Sequence, residues 1–330
     1  MTTYKNIKGI EIKYLSADPP APNAGQVWYN STTKVVKGAI NGVGAWASGN
    51  NLNGTNNQKR AGAGIQSSAI VMGGVGTGDD SNVDTELYNG TAWTEVNSLN
   101  DGRGLAAGAG TVNTAALLTA GRTASQARYD STEIWDGSCW TEVNNLNTAR
   151  YYAAGDGTST AAILAGGNAA PAVTDETEIW DGTCWSEVNN LNSAREQTDA
   201  LMGTTAAAII ATGQLGGLGA LTANSEKWDG TCWTEVANVN TARILVAGAG
   251  ISTSAIIFAG GPGGAELAIT ESWNGTSWTE VADLAVGRKN TTGSGTATLG
   301  LAAGGGTNPT AVATEEWTLT AFTTKTFDTD

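Results

Sequence analysis

One eleven-residue segment returns along this chain at a near-constant interval, and that interval limits the fold more than any other feature. Glu133-Ile134-Trp135-Asp136-Gly137-Ser138-Cys139-Trp140-Thr141-Glu142-Val143 recurs from Glu178 to Val188 and from Glu226 to Val236, with looser copies starting at Glu86 and Glu271. The leading glutamates step by 47, 45, 48 and 45 residues (133−86, 178−133, 226−178, 271−226). A sixth start, Glu315-Glu316-Trp317, follows 44 residues after Glu271 (315−271). A period in this range marks a stacked-repeat or propeller architecture.

Each period reads as four strands. Asp136-Gly137 and Asn89-Gly90 separate two β-rich runs, and Asn-Gly and Asp-Gly tolerate the positive φ of hairpin turns. Upstream lies an apolar run ending in glycine, such as Ala161-Ala162-Ile163-Leu164-Ala165-Gly166-Gly167. A short continuous apolar run bounded by glycine suits a strand buried on both faces. Before it stands an arginine followed by small residues, as in Arg150-Tyr151-Tyr152-Ala153-Ala154-Gly155. Small residues fit where strands crowd a narrow axis.

This pattern resembles the Kelch repeat. The resemblance rests on the Gly-Gly ending the second strand, on Tyr88, Trp135, Trp180, Trp228, Trp273 and Trp317, and on Trp93, Trp140, Trp185, Trp233 and Trp278. It covers residues 46 to 330 and implies an all-β, six-bladed β-propeller of four-stranded blades around a channel. Ala120-Gly121 and Thr212-Gly213 depart from the double glycine, and the sixth copy lacks its second tryptophan.

Charge and composition narrow the function. The net charge is −14 with 17 Lys and Arg, so nucleic acid and anionic membrane surfaces are not expected as partners. No run reaches the ~18 apolar residues of a membrane helix, and the N-terminus lacks the apolar core of a signal peptide. There is no histidine, which argues against most zinc and copper sites and against Ser-His or Cys-His catalysis; no cofactor or metal is expected. Asp79, Asp80 and Asp84 lack the alternating spacing of a calcium loop and read as a solvated acidic loop. Asp136 and Gly137 are adjacent, whereas the sialidase Asp-box spaces them by one residue. Cys139, Cys184 and Cys232 share one slot with Ala92 and Ser277, which reads as a small buried site holding inert packing thiols.

Residues 1 to 45 stand outside the repeat. Ser16 to Gly25 is a Pro-rich loop, and Gln26 to Gly38 reads as a hairpin turning near Asn30 to Thr33. Residues 16 to 38, with Ala17-Asp18-Pro19 and Gly25-Gln26-Val27-Trp28-Tyr29-Asn30-Ser31-Thr32-Thr33, resemble the N-terminal region of tailed-phage fibre and virion proteins. With the repeats, this resemblance implies a Kelch-like virion protein of an aquatic phage, in the tail fibre or as decoration. Residues 1–45 would attach it to other virion proteins, in several copies per particle. The last repeat needs a fourth strand. Trp46, 47 residues before Trp93 (93−46), is in phase with the period and is the favoured donor; Phe322 is the alternative. Joining first and last segments in one blade would remove open strand edges.

Each repeat holds one arginine at the entry to its first strand (60, 103, 150, 195, 243, 288) and one glutamate at the entry to its third (86, 133, 178, 226, 271, 315). The matched set, which includes Arg150 and Glu133, reads as structural Arg–carboxylate pairing rather than a ring of charge at a channel mouth. The loop after the second strand varies completely between repeats. Irregular loops on a rigid scaffold are where binding resides, although unconstrained surface drift gives the same pattern. Residues that break the repeat on that face are Arg122, Arg128, Tyr129, Tyr151, Tyr152, Glu196 and Lys289, and aromatic and arginine side chains are favoured at contact surfaces. The expectation is a non-enzymatic binder of a host-surface glycan or protein, or a particle decoration. The alternatives are a stand-alone lectin-like propeller and a propeller glycosidase.

Overall fold

A computed structural model of the chain describes residues 12–19, 26–40, 42–54, 60–75, 82–216, 219–306, 310–320 and 323–327. Strands dominate, and one short 3-10 turn, Thr310–Val312, is the helical element among those residues. The chain divides into two compact units, residues 45–318 and residues 1–44 with 319–330. The cut expected at residue 45 thus leaves the last twelve residues with the N-terminal unit, because strand Thr323–Phe327 pairs with strand Val35–Ile40.

Six four-stranded antiparallel sheets make up the larger unit. In the second sheet the strands are Ala107–Val112, Ala115–Thr119, Thr132–Trp135 and Trp140–Val143, in that spatial order from the inside outwards. The apolar second strands are buried over their last four residues in all six sheets. Trp135 pairs directly with Trp140 across the hairpin, their rings 5.5 Å apart. The connection spans four residues and is closed by Asp136, whose Oδ1 accepts the Ser138 and Cys139 N–H groups at 2.7 and 2.8 Å. Gly137 alone takes the positive φ, 95°. Aspartate and asparagine at this position therefore shape the loop by hydrogen bonding, and glycine by its backbone freedom.

The departures from Gly-Gly do not change the backbone. The residue ending each second strand is left-handed in every sheet: Gly73, Ala120, Gly166, Thr212, Ala259 and Gly304 have φ of 60° to 69°. In the fifth sheet the equivalent pair is Ala259-Gly260, one residue earlier than the Gly260-Gly261 read from sequence. Tertiary packing holds three residues with a Cβ in a conformation that glycine adopts freely.

The inner strands Ala61–Ile65, Ala107–Val112, Ala154–Thr158, Leu201–Thr204, Ala247–Ile251 and Thr292–Gly295 contact one another in sequence order, and the last contacts the first. The outer tryptophans tie neighbouring sheets. Each donates its indole N–H to the hydroxyl that opens the third strand of the preceding sheet: Trp140 to Thr85, Trp185 to Thr132, Trp233 to Thr177 and Trp278 to Ser225. The fourth strand of the last sheet is Gly44–Ser48, and its Trp46 donates to Thr270. Trp46 is only half-buried, against 5–6% exposure for the other five. Phe322 lies outside the described residues.

Six buried ion pairs match the six-and-six count. Arg103 meets Glu133 at 2.6 Å and Arg60 meets Glu86 at 2.8 Å; Arg243–Glu271 and Arg288–Glu315 follow at 2.5 Å, with Arg150–Glu178 and Arg195–Glu226 completing the set. Each pair lies within one sheet. The second carboxylate oxygen of Glu133 accepts the backbone and side-chain N–H groups of Asn100 at 2.9 and 2.8 Å. The same contacts join Asn147 to Glu178 and Asn192 to Glu226. The Asn-x-Leu-Asn linker, which becomes Ala-Asn-Val-Asn at 237–240 and Ala-Asp-Leu-Ala at 282–285, is thus the segment that the buried glutamates clamp.

The cysteines are a correction. Cys139, Cys184 and Cys232 are exposed free thiols, not buried packing residues. Each ends the outer hairpin turn, with its Sγ 3.5–3.7 Å from an Oδ2 of Asp136, Asp181 or Asp229. The slot accepts Ala, Ser or Cys because the turn needs a small residue at the rim. The neighbouring Asp136 carboxylate pushes the Cys139 thiol pKa upward.

In the smaller unit, strand Lys13–Leu15 pairs in parallel with Val27–Asn30, which forms the expected hairpin with Val35–Ile40. Asp18 organises it. Its carboxylate accepts the Lys37 ammonium (2.6 Å), the Asn30 amide (2.7 Å) and the Trp28 indole N–H (3.0 Å). Chiefly through Lys37, then Asn30 and Trp28, these contacts lower the Asp18 pKa to about 2.

Candidate binding face and axial channel

The face carrying the irregular loops is built by the residues after each repeat arginine. Leu105, Tyr152, Gln197, Leu245 and Asn290, each two residues past an arginine, have φ of 56° to 61°. Backbone hydrogen bonds join them from sheet to sheet: Tyr152 N–H to Leu105 O (3.0 Å), Gln197 to Tyr152 (3.3 Å), Leu245 to Gln197 (2.7 Å) and Asn290 to Leu245 (3.3 Å). Left-handed non-glycine residues cost on the order of 1 kcal/mol or more each, and this chain of bonds fixes them. The first sheet lacks the extra turn, since Arg60 stands immediately before its inner strand.

One position earlier, the linker pairs with the irregular loop. Tyr151 lies opposite Asn168, Glu196 opposite Gln214, and Gly104 bridges Arg122. These short ladders bring five of the seven repeat-breaking residues together. The guanidinium groups of Arg122 and Arg128 lie 5.5 and 5.3 Å from the centre of the Tyr151 ring. Tyr152 packs beside Tyr151 at 5.2 Å. Arg128 donates to the carbonyl (3.1 Å) and amide oxygen (2.6 Å) of Asn168, and the Asn168 amide donates to Glu196 Oε2 at 2.8 Å. The second, third and fourth sheets all contribute.

The chain has eight arginines. Six form the buried repeat pairs; the other two, Arg122 and Arg128, stand in the irregular loop of the second sheet, and both face Tyr151. Burial raises the Tyr152 pKa to about 12, so its hydroxyl stays a neutral donor and acceptor. Tyr129 and Lys289 do not join the cluster. Tyr129 stacks on the scaffold guanidinium of Arg103 at 4.6 Å, and burial raises its pKa. Lys289 donates to the Gly264 carbonyl at 3.3 Å. Asn168, which relays Arg128 to Glu196, was missed by the sequence reading because a loop asparagine carries no local signal of its partners.

A second feature was also missed. An axial cavity of about 60 Å³ is lined by the inner strands, mainly glycine and alanine, with Asp156 and Asp199 on its wall. Asp156 occupies the position held by Ala63, Ala109, Met202, Ala249 and Ser294 in the other inner strands. Its carboxylate accepts N–H groups from Gly157 and Gly203, both at 2.7 Å, and so joins two sheets. Asp199 comes from an extra residue. Arginine and inner glycine are seven apart in sheets 2, 3, 5 and 6 (110−103, 157−150, 250−243, 295−288) but eight apart in the fourth (203−195). Asp199 is exposed by area, on the wall of this narrow cavity, and Asp156 is half-buried. Desolvation pushes the Asp156 and Asp199 pKa values to about 7. Among the described residues no three His, Cys, Asp or Glu side chains gather as a metal site; Asp79 and Asp80 lie outside those residues.

The Tyr151 cluster offers two guanidinium groups, two phenols, an amide and a carboxylate around an aromatic surface. That set suits a polar, hydroxyl-bearing ligand held by hydrogen bonds over a ring face. No protein-family model matches the chain, and no curated protein sequence matches it. Solved structures do. One, titled "Structure of YjhT", superposes with a TM-score of 0.65 at 12% identity, covering 81% of this chain and 96% of that one. At this identity the likeness carries the fold alone, and that fold is a β-propeller.

Proposed function

We propose that this chain is a six-bladed Kelch-type propeller of a tailed-phage particle, probing host surfaces without catalysis. In this reading the N-terminal unit attaches it to other virion proteins, and the Tyr151 cluster binds a host-surface glycan or protein. The observation that carries the binding half is the meeting of Arg122, Arg128, Tyr151, Tyr152 and Glu196, five side chains that break the repeat, at one sector of one face. None of the five side chains belongs to the repeated Arg–Glu pairs or tryptophan contacts, whereas a single binding site needs its special residues once. The attachment half is supported by the likeness of residues 16 to 38 to phage fibre N-termini.

The test pairs a glycan array with microscopy. The full chain should bind a defined subset of glycans on the array. Tyr151→Ala with Tyr152→Ala should abolish that binding without lowering Tm by more than a few degrees. Antibody-labelled electron microscopy should place the chain on assembled particles. Glycan binding that survives the double substitution would remove the cluster from the proposal. Labelling absent from particles would leave a lectin-like propeller instead.

A further inference from the structure

Every sheet of the larger unit ends in an outer strand with no further strand beyond it, and in five of them a linker asparagine amide caps the carbonyl of the outer tryptophan on that edge. Such edges invite strand addition, and proteins guard them by keeping them short and charged. Five of the six edges here share one guard. Two residues after the outer tryptophan stands an exposed glutamate: Glu95, Glu142, Glu187, Glu235 and Glu280. The residue between is an exposed Thr or Ser.

The sixth edge breaks this rule. It is the strand Gly44–Ser48, supplied by the start of the unit to close its end. Aligned on Trp46, Ala47 replaces the threonine and Ser48 replaces the glutamate. Ala45, Ala47 and Ser48 are all exposed. Further along, Asn50 donates to the Thr91 carbonyl as Asn144 donates to the Thr183 carbonyl, so the alignment holds through the strand. The edge is therefore of ordinary geometry but lacks its charge, and Ala285 stands where the other linkers place the asparagine that caps the outer tryptophan carbonyl.

The geometry points to this edge as a self-association surface: two copies of the chain pair Gly44–Ser48 against Gly44–Ser48, antiparallel, about a two-fold axis. The partner follows from charge. The chain carries −14, and each of the other five outer edges of the larger unit would bring a glutamate into the new ladder, where burial and like-charge opposition disfavour pairing. Among the six outer edges of the larger unit, pairing of this edge with itself is the one combination that brings in no carboxylate from these positions. A two-fold axis also satisfies the requirement that one patch be complementary to itself. The small side chains at 45, 47 and 48 let the backbones approach. The contact is short, so the dimer is reversible and concentration-dependent.

Sedimentation equilibrium of the full chain from about 1 to 200 µM tests this, with amide hydrogen exchange as the second readout. The apparent mass should rise from one chain towards two, and exchange at residues 45–48 should slow as concentration rises. Ser48→Glu restores the residue that five sheets already tolerate at this position, so it should fold normally. It should shift the association midpoint at least tenfold to higher concentration. A single-chain mass across the whole range overturns the proposal and leaves the edge to a strand from another polypeptide. Association that is indifferent to Ser48→Glu, or that slows exchange elsewhere and not at 45–48, overturns it as well.

Discussion

The indole N–H of Trp93 donates to the hydroxyl of Thr314 at 3.0 Å across 221 residues of sequence. This one bond joins the first sheet to the last. It is the same bond that Trp140 makes to Thr85 and Trp46 to Thr270, so the contact that closes the ring is the contact that builds it. The joint is the one the other sheets use, while the outer strand of the last sheet, Gly44–Ser48, comes from the start of the unit.

Trp140 is 6% exposed and packs between the first and second sheets. Replacing it by Ala removes a large buried ring and strands the Thr85 hydroxyl, at a cost of about 3–5 kcal/mol. Trp46→Ala should cost less, because Trp46 is half-buried. Urea denaturation of both variants measures the difference, and equal losses would contradict it.

Closure itself is testable by truncation. Residues 45–318 should form a stable ring, whereas residues 54–318 lack the outer strand of the last sheet and leave strand Thr314–Leu319 as an open edge. The shorter form should melt roughly 10 °C or more below the longer one and aggregate on concentration. Calorimetry and light scattering of the two forms decide the matter.

Arg103 and Glu133 are both fully buried. Glu133→Ala leaves a buried guanidinium without its carboxylate and should cost about 3–5 kcal/mol. Replacing both by apolar residues of similar volume, Arg103→Met with Glu133→Leu, should recover part of that loss. The recovery stays incomplete because Asn100 loses its acceptor as well. A double-mutant cycle on chemical denaturation gives both numbers.

The channel carboxyls set a pH dependence. Asp199 has a pKa of about 7 in the folded protein against 3.8 in the ordinary state, from desolvation. Below about pH 4 both states are protonated and there is no penalty. Between about 4 and 7 the unfolded chain releases its proton while the folded chain keeps it, so stability falls as pH rises across that window. Above about 7 the penalty is constant. Asp199→Asn should therefore raise Tm at pH 8, leave it nearly unchanged at pH 4, and flatten the slope between. Asp156→Asn should help less, because an amide oxygen accepts one of the two N–H groups that the carboxylate holds.

What the sequence determined by itself is most of what is periodic. The 44- to 48-residue step, the Asp-Gly hairpins, the apolar second strands and the matched arginines and glutamates are local patterns repeated often enough to average out noise, and the structure places them as sheets and buried pairs. The phase of Trp46 even named the strand that completes the last sheet, since a period carries across a gap. Tertiary structure decided which repeated positions face solvent, and what occurs once. The rim exposure of Cys139, Cys184 and Cys232 follows from where the outer hairpin stands, and residue type does not encode that position. The joining of Arg128, Asn168 and Glu196 depends on loops from different sheets meeting, and Asp199 enters the channel only because one extra residue bulges there. Single contacts between distant segments leave no period to read, so they become visible only when the chain has folded.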